Sequence, residues 1–281
     1  MINRDLLITR IDQAIAEDFV GNLDVTTSPT IPATQRCIGE FRTRKSGVVS
    51  GIDVAIVLLN RVCVGGYEIL SRLSDGNVVG ANVTVLKVSA LTRELLVAER
   101  TALNFLSRLS GISTTTHHWV DAIAGTSAKI RDTRKTTPGW RDLEKYAVLC
   151  GGGVNHRLNL AESALIKDNH VAAVGGISQA VAAIKSQFPN LLIEVEIDHL
   201  NQLEEAIAAG ADEVLLDNMS PAECAQAVTM NKGRVKLEAS GGITLETVRA
   251  YAETGVDFIA VGAITHSAPI LDIGLDISEV N

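Results

Sequence analysis

A chain of 281 residues with 46% hydrophobic content can bury a large core as one or two domains. Its formal net charge of −8, from 25 Lys/Arg against 33 Asp/Glu, argues against nucleic acid as a partner. No apolar run approaches the roughly 18 to 20 residues of a membrane span, and the opening MINRDLLITRIDQAIAEDF reads as an amphipathic helix without a signal-peptide core. A cytoplasmic protein is expected. Cys37, Cys63, Cys150 and Cys224 form no CxxC pair, so they read as free buried thiols and not as a disulfide framework or zinc site.

After the opening helix and a turn-rich stretch, alternating segments at Gly47 to Val57 and Asn82 to Val88, punctuated by Gly65-Gly66 and Asp75-Gly76, predict a small α+β domain running to about Gly111. The residues from Ala90 to Leu109 read as one long helix, with Leu91, Leu95, Ala98, Ala102, Phe105 and Leu109 on one apolar stripe. Arg100 falls on the opposite side, between Leu96 and Leu103. The positions three and four residues away are Val97, Leu103, Leu96 and Asn104, none acidic, which disfavours a simple surface ion pair. The alternative is that this face meets another subunit or domain.

Beyond Gly111, short apolar strands alternate with helices. Strands are predicted at Ala128 to Asp132, Ala164 to Lys167, Leu191 to Ile197, Glu213 to Asp217, Val235 to Ala239 and Asp257 to Val261. Between them lie helical patterns such as HLNQLEEAIAAG and TLETVRAYAETG, each closed by a glycine suited to the position after a helix. The units AIAAGADEVLLDN and YAETGVDFIAVGA resemble each other, and such spacing suits successive βα units of a barrel or a doubly wound sheet. The barrel is favoured by polar residues at strand C-terminal ends: Arg134 and Lys135, Lys167 and Asp168, Glu196 and Asp198, Asp217 and Asn218, Ser240 to Gly242, and Gly262. In an α/β barrel these ends converge on one face.

The stretch from Lys129 to His170 carries eight Lys/Arg and five Asp/Glu, a local positive excess on an acidic chain that points to a small anionic ligand. Lys167 could bind phosphate or carboxylate, act as a Schiff-base nucleophile, or pair structurally with Asp168. Glu196 and Asp217 could hold Mg²⁺ directly or through water, contact sugar hydroxyls, or serve as ion-pair partners of Lys167 and Arg134. Asn155-His156-Arg157 follows Gly151-Gly152-Gly153, glycines that either let a ligand approach the backbone or simply end the preceding helix. Ser240-Gly241-Gly242 and Gly262 suit a phosphate bound by backbone N–H groups. His117, His118, His199 and His266 lack metal-ligand spacing and read as ordinary polar positions.

The runs DTRKTTPGWRDLEKYAVLCGGGVNHR and LIKDNH resemble the quinolinate phosphoribosyltransferase family, and the likeness continues through DGNVVGANVTVLKVSALTRELLVAERTALNFLSRLSGIS, EVEID, VLLDN, EASGG and ETGVDFIAVGAITHSAPILDIGLDI. Gly21-Asn22, Asn159 and Glu162 depart from the usual Gly-Asp, glycine and aspartate of that pattern, and none is a site residue. The resemblance implies an N-terminal α/β sandwich domain over 1–111, rejoined by 270–281, and an incomplete seven-stranded TIM-like α/β barrel over 112–269. It implies a homodimer or higher even-numbered assembly, with each barrel mouth covered by the partner's sandwich domain. It implies that Arg134, His156, Arg157 and Lys167 bind the carboxylates of quinolinate, together with Arg100 from the other subunit and Thr133 in the same run. Lys135, Lys167, Glu196 and Asp217 would bind phosphoribosyl pyrophosphate (PRPP) and Mg²⁺, and Ser240, Gly241, Gly242 and Gly262 its 5′-phosphate, with Val261 and Ala263 as further substrate-binding residues.

That chemistry requires no general base, because the pyridine nitrogen already has a free lone pair. It requires positive charge at the departing pyrophosphate, from Lys135 and Mg²⁺, and negative charge near the ribose, from Glu196 and Asp217, as C1 becomes oxocarbenium-like. Lys167 joins these three as the fourth expected catalytic group. Decarboxylation is expected after glycosyl transfer, giving nicotinate mononucleotide, pyrophosphate and CO₂. Three alternatives stay open: a relative such as the homologue associated with molybdate uptake, against which the NHR and LIKDNH runs argue; a Schiff-base aldolase using Lys167; and a non-enzymatic sensor of a phosphorylated metabolite.

Overall fold

The computed structural model describes residues 3–279; the last two residues of the expected 270–281 return, like residues 1 and 2, lie outside the described residues. The chain divides into two compact units. The first comprises residues up to 117 together with 142–152 and the segment from 268 onward, and the second comprises 118–141 and 153–267.

In the first unit, a four-stranded antiparallel sheet has the order β10-β1-β3-β2, with β1 at Arg36–Thr43, β2 at Glu68–Arg72, β3 at Thr84–Leu91 and β10 at Ile273–Glu279. The two-residue period of β1 buries Cys37, Phe41 and Thr43 and leaves Glu40 and Arg42 on the wetter face. Glu40 there accepts hydrogen bonds from Lys87, Thr84 and Arg42, which hold its carboxyl well down, at about 2. Helix α1 (Arg4–Asp18) is capped by the Asn3 side chain and buries Leu7 and Ile11.

The alternation expected at Gly47 to Val57 gives way to a helix, α2 (Ile52–Val62), after a strand of only Gly47 and Val48. Ile52, Ala55, Leu58 and Leu59 form a helical stripe, all 1% exposed or less, and the helix start is fixed by Asp75, which accepts from the Gly51 and Ile52 amides at 3.0 and 2.9 Å. Residue 51, at φ 95°, must be glycine or strained.

The predicted helix is longer than its apolar stripe suggested. α3 runs from Thr92 to Ala122, 31 residues, straight through Gly111. That glycine serves close packing and not termination, since a Cβ there would lie 2.0 Å from the Pro269 carbonyl oxygen. α4 (Arg141–Cys150) belongs to the same unit from Asp142 on. Its fully buried Glu144 pairs with Arg108 at 2.7 Å, and Gly151 just after it is pressed against the Ser113 carbonyl. Of the thiols expected to be buried, Cys37, Cys63 and Cys224 are so and Cys150 is half-buried; all four are free.

The second unit is built on parallel strands β4 (Lys129–Arg131), β5 (Ala164–Ile166), β6 (Ile193–Ile197), β7 (Glu213–Asp217), β8 (Lys236–Ser240) and β9 (Phe258–Ala260). Their order is β4-β9-β8-β7-β6-β5. The first strand pairs with the last, as in a barrel, and Val154 adds a one-residue parallel bridge to Arg131 on the other side of β4. The barrel therefore has seven strand positions, the second reduced to that bridge, and it is incomplete between Val154 and β5. Connecting helices are α5 (Asp168–Val174), α6 (Ile177–Gln187), α7 (Leu203–Ala209), α8 (Pro221–Asn231), α9 (Val248–Ala252) and α10 (Ala263–His266). Gly210, at φ 90°, ends α7 as expected, and Ser220, Glu223 and Pro221 start α8 with a reciprocal cap.

Along β6 and β8 the residues alternate. Ile193, Val195, Ile197, Leu237 and Ala239 are buried in the apolar core, while Glu194, Glu196, Glu238 and Ser240 share the opposite, inward face. Register carries this face across the sheet, with Glu194 opposite Glu213, and Ser240 opposite Asp217.

Candidate active site

The C-terminal strand ends of the second unit surround a cavity of ≈ 520 Å³. A second cavity of ≈ 300 Å³ shares Thr133, Lys135, Lys167, Glu196, Asp217 and Ser240 with it. Gly241, Gly242, Val261, Gly262 and Ala263 line only the larger one, and Arg134, His156 and Arg157 only the smaller. Every expected site residue except Arg100 thus borders one of the two. Arg100 is exposed on α3, in the first unit, without an ion pair among the described residues.

The glycines of the larger cavity have steric causes. A Cβ on Gly241, which sits at φ 94°, would lie 2.1 Å from the Asn218 side-chain oxygen, and one on Gly262 would lie 3.0 Å from Lys135 Cδ. The Lys135 carbonyl accepts from the buried Thr265 hydroxyl at 2.8 Å, and its amide donates to Thr133 Oγ1 at 3.0 Å, so this lysine's backbone is held on both sides. Lys167 Nζ reaches Glu196 Oε2 at 2.5 Å, and Asn218 Nδ2 donates to Asp217 at 2.7 Å.

The smaller cavity is lined by four cationic side chains, Arg134, Lys135, Arg157 and Lys167, and by three acids, Glu196, Asp217 and Glu238. Arg157 donates to the Ser163 carbonyl at 2.8 Å, and burial followed by the nearby charge of Arg134 lowers its pKa. Arg134 Nε is buried without a hydrogen-bond partner. Neither guanidinium forms an ion pair with a carboxylate among the described residues, so both keep donors for an incoming anion. His156 is 9% exposed; its Nδ1 accepts the Arg157 amide at 2.7 Å and its Nε2 lies 2.9 Å from Glu194. With Nδ1 accepting, the ring proton is assigned to Nε2.

Below the strand ends lies a polar interior that the strand-end pattern did not reveal, reaching the smaller cavity at Glu238. Arg131 donates to Glu213 at 2.7 Å and to Glu238 at 2.8 Å, and stacks on Phe258 at 4.1 Å. Burial pushes Glu194 and Glu238 up to about 7, and the neighbouring carboxyls add to the rise while Arg131 opposes it. Burial opposes the charge of Arg131, but its bonds to Glu213 and Glu238 outweigh that and hold it above the usual arginine range. The signal was present: EVEI and LEAS alternate, which sets Glu194 on the face of Glu196 and Glu238 on that of Ser240.

Two further corrections concern polar residues. His266, read as an ordinary polar position, lines the larger cavity beside Gly262, where Asn218, read as a strand-end group, also lies. Asp168 and Asp198, read as strand-end groups, border neither cavity and sit at starts of the following helical turns, where the Asp168 side chain accepts the Asn169 amide. Of the Gly151–Gly153 run, Gly151 meets the reading of a helix-ending loop, and none of the three lines either of these two cavities.

Two groups of acids are candidates for a cation. Ligand atoms of His156, Glu194 and Glu238 lie within 4.8 Å of one another, but Arg131 already supplies a cation there, so we do not assign a metal to them. Glu196 and Asp217 fit Mg²⁺ better: both offer hard oxygen donors to a roomy polar cavity, and since each already engages a protein donor, contact through water suits them.

Family models for the C-terminal and N-terminal domains of quinolinate phosphoribosyl transferase match residues 112–276 and 24–110. The chain belongs to this family. It is 50% identical over 271 residues, covering 95% of both chains, to nicotinate-nucleotide pyrophosphorylase [carboxylating] of Mycobacterium leprae. It is 40% identical over 263 residues to a probable enzyme of the same name from Bacillus subtilis, covering 93% of this chain and 90% of that one. The solved nicotinate-nucleotide pyrophosphorylase of Francisella tularensis superposes with a TM-score of 0.94 at 39% identity, over 99% of this chain and 98% of that one. The protein is thus an enzyme of the phosphoribosyltransferase class, and the barrel fold agrees with its solved relatives. No helix among the described residues is long and apolar enough to cross a membrane.

Proposed function

We propose that this enzyme transfers the phosphoribosyl group of PRPP to quinolinate and decarboxylates the adduct, giving nicotinate mononucleotide, pyrophosphate and CO₂ in de novo NAD biosynthesis in the cytoplasm. The observation that carries the reading is the pair Arg134 and Arg157, two guanidiniums lining one cavity, neither of them in an ion pair among the described residues. A dicarboxylate supplies the ion-pair partners for both. Quinolinate occupies the smaller cavity, its carboxylates on Arg134, Arg157 and Lys167, with Thr133 and His156 shaping the pocket. PRPP occupies the larger, its 5′-phosphate on the backbone of Ser240 to Gly242 and Val261 to Ala263.

The ring nitrogen attacks C1 of the ribose through its own lone pair, and the C1–O bond to pyrophosphate breaks. Lys135, at the junction of the two cavities, offsets charge on the departing pyrophosphate. Glu196 and Asp217 stabilise positive charge as it develops at the ribose. Mg²⁺, held with PRPP beside Glu196 and Asp217, would add charge neutralisation at the pyrophosphate. The nitrogen is then cationic, so the neighbouring carboxylate leaves as CO₂ while the electron pair remains on the ring carbon, which later takes a proton. The amine of Lys167 is engaged by a carboxylate and not set in the apolar surroundings that favour a Schiff-base lysine.

The enzyme acts as a homodimer or larger even-numbered assembly in this reading. Arg100, whose guanidinium has no ion-pair partner among the described residues of its own chain, completes the quinolinate site of the neighbouring subunit. The test is incubation with quinolinate, PRPP and Mg²⁺, with CO₂ and pyrophosphate measured together, and nicotinate as control. Equal release of CO₂ and pyrophosphate is expected from quinolinate, and no turnover of nicotinate, which leaves charged donors unpaired. Comparable turnover of nicotinate would overturn the assignment.

A further inference from the structure

We infer that Glu194, a buried residue of the barrel interior, is a positioning residue for substrate: through the His156 ring it fixes the backbone of Arg157 and so the aim of that guanidinium. The inference rests on the proposed function for the identity of the ligand. Its geometry is independent of it.

The segment 155–157 has no regular structure of its own and must be held by side chains. Asp132, fully buried just past the end of β4, accepts the His156 amide at 2.8 Å and the Asn155 side-chain amide at 3.1 Å. These bonds fix the chain up to His156. Beyond it, the Arg157 amide donates to His156 Nδ1 at 2.7 Å, so the orientation of the ring decides where Arg157 begins. The ring is in turn held by Nε2, 2.9 Å from Glu194 Oε2 and 3.8 Å from Glu238 Oε1.

A ring flip would exchange Nε2 and Nδ1 for carbon atoms and break both bonds at once. Glu194, 1% exposed on the rigid strand β6, can relax little, so it selects one ring orientation and one tautomer. The far end of Arg157 is anchored separately by its bond to the Ser163 carbonyl. Held at both ends, the guanidinium keeps its remaining N–H groups for an anion. This pre-organisation is worth most where the cation would otherwise turn away from its neighbour Arg134.

The experiment compares Glu194→Ala and Glu194→Gln with wild type. The alanine variant removes the acceptor for Nε2–H, while the glutamine carbonyl retains one. We expect KM for quinolinate to rise about tenfold to a hundredfold in Glu194→Ala, the equivalent of one charged hydrogen bond to the substrate, with KM for PRPP nearly unchanged. Glu194→Gln should restore most of the loss. A purely structural role would shift both KM values together and would not discriminate between the variants, and either result overturns the inference. Nitrogen NMR of the wild-type His156 ring needs no variant to fold: the neutral form protonated at Nε2 is expected, and an Nδ1-protonated ring or an imidazolium in the resting protein refutes the arrangement. If wild type neither binds nor converts quinolinate, the proposed function fails, while the tautomer still reports on the geometry.

Discussion

Replacing Gly241 by alanine tests the larger cavity at its most constrained point. The residue sits at φ 94°, where an L side chain costs roughly 1–2 kcal/mol. The new Cβ would lie 2.1 Å from Asn218 Oδ1, 2.6 Å from its Cγ and 2.9 Å from its backbone nitrogen. The side-chain amide can rotate away, but that nitrogen cannot, because it donates to the Ser240 carbonyl at 2.9 Å. Relieving the clash must move the Ser240–Gly242 turn, at a cost of about 1–3 kcal/mol for overpacking. The sum, about 2–5 kcal/mol, is a large share of a typical folding stability and should lower Tm on the order of 10 °C. Because the same turn is proposed to hold the 5′-phosphate, KM for PRPP should rise about tenfold to a hundredfold through the loss of one charged hydrogen bond, with a smaller effect on quinolinate. Thermal melting and initial rates with each substrate varied would check both. A Gly241→Ala protein that melts and binds PRPP as wild type does would show that the turn has slack and that the phosphate lies elsewhere.

Three further outcomes are expected. Lys167→Ala should abolish turnover with little change in Tm, since Lys167 is half exposed at the cavity, while Cys150→Ser should leave kcat near wild type; activity and melting measured together would check both. Inactive Arg100→Ala and Lys167→Ala chains, mixed and allowed to exchange, should recover about a quarter of wild-type activity, because half the dimers would be mixed with one intact site of two. Verified heterodimers without recovery would place Arg100 outside the partner's site. Glu40 has a depressed folded pKa, so its stabilising contribution is present above the ordinary value of 4.5 and is lost as pH falls toward about 2. The stability difference between wild type and Glu40→Gln should shrink over that window in acid unfolding.

The sequence is most legible where one residue type has one physical use. Strand positions from β4 to β9 were readable because short apolar runs end in charge or glycine, and their convergence follows from parallel strands in a barrel. Reading fails where two periods compete. Gly47 to Val57 alternates locally, yet Asp75, far along the chain, caps the segment as a helix. Gly111 resembles a helix stop, but its lack of a Cβ is required by the Pro269 carbonyl, a neighbour that only the fold brings near. His266 gave no signal through spacing because it lines the cavity from a short helix after β9. Glu194 and Glu238 were concealed within strands read as apolar runs, although alternation alone assigns them to the inward face.

The barrel is layered by charge. Its interior holds Glu194, Glu213 and Glu238 around Arg131, while Arg134, Lys135, Arg157 and Lys167 line the cavities beyond. An interior of buried acids is costly unless each is hydrogen-bonded, and Glu194 Oε1 and Glu238 Oε1 are not. Replacing such groups by apolar residues is often stabilising in other proteins, so stability alone does not account for them. The arrangement becomes intelligible as support for the cationic groups: Glu194 and Glu213, which border neither cavity, and Glu238, which lines the smaller one, can hold Arg131 and His156 in place. Mouth and interior then carry opposite tasks. In the proposed function the mouth attracts dicarboxylate and phosphate on a protein whose overall charge would repel them, and the interior fixes the geometry that the mouth presents.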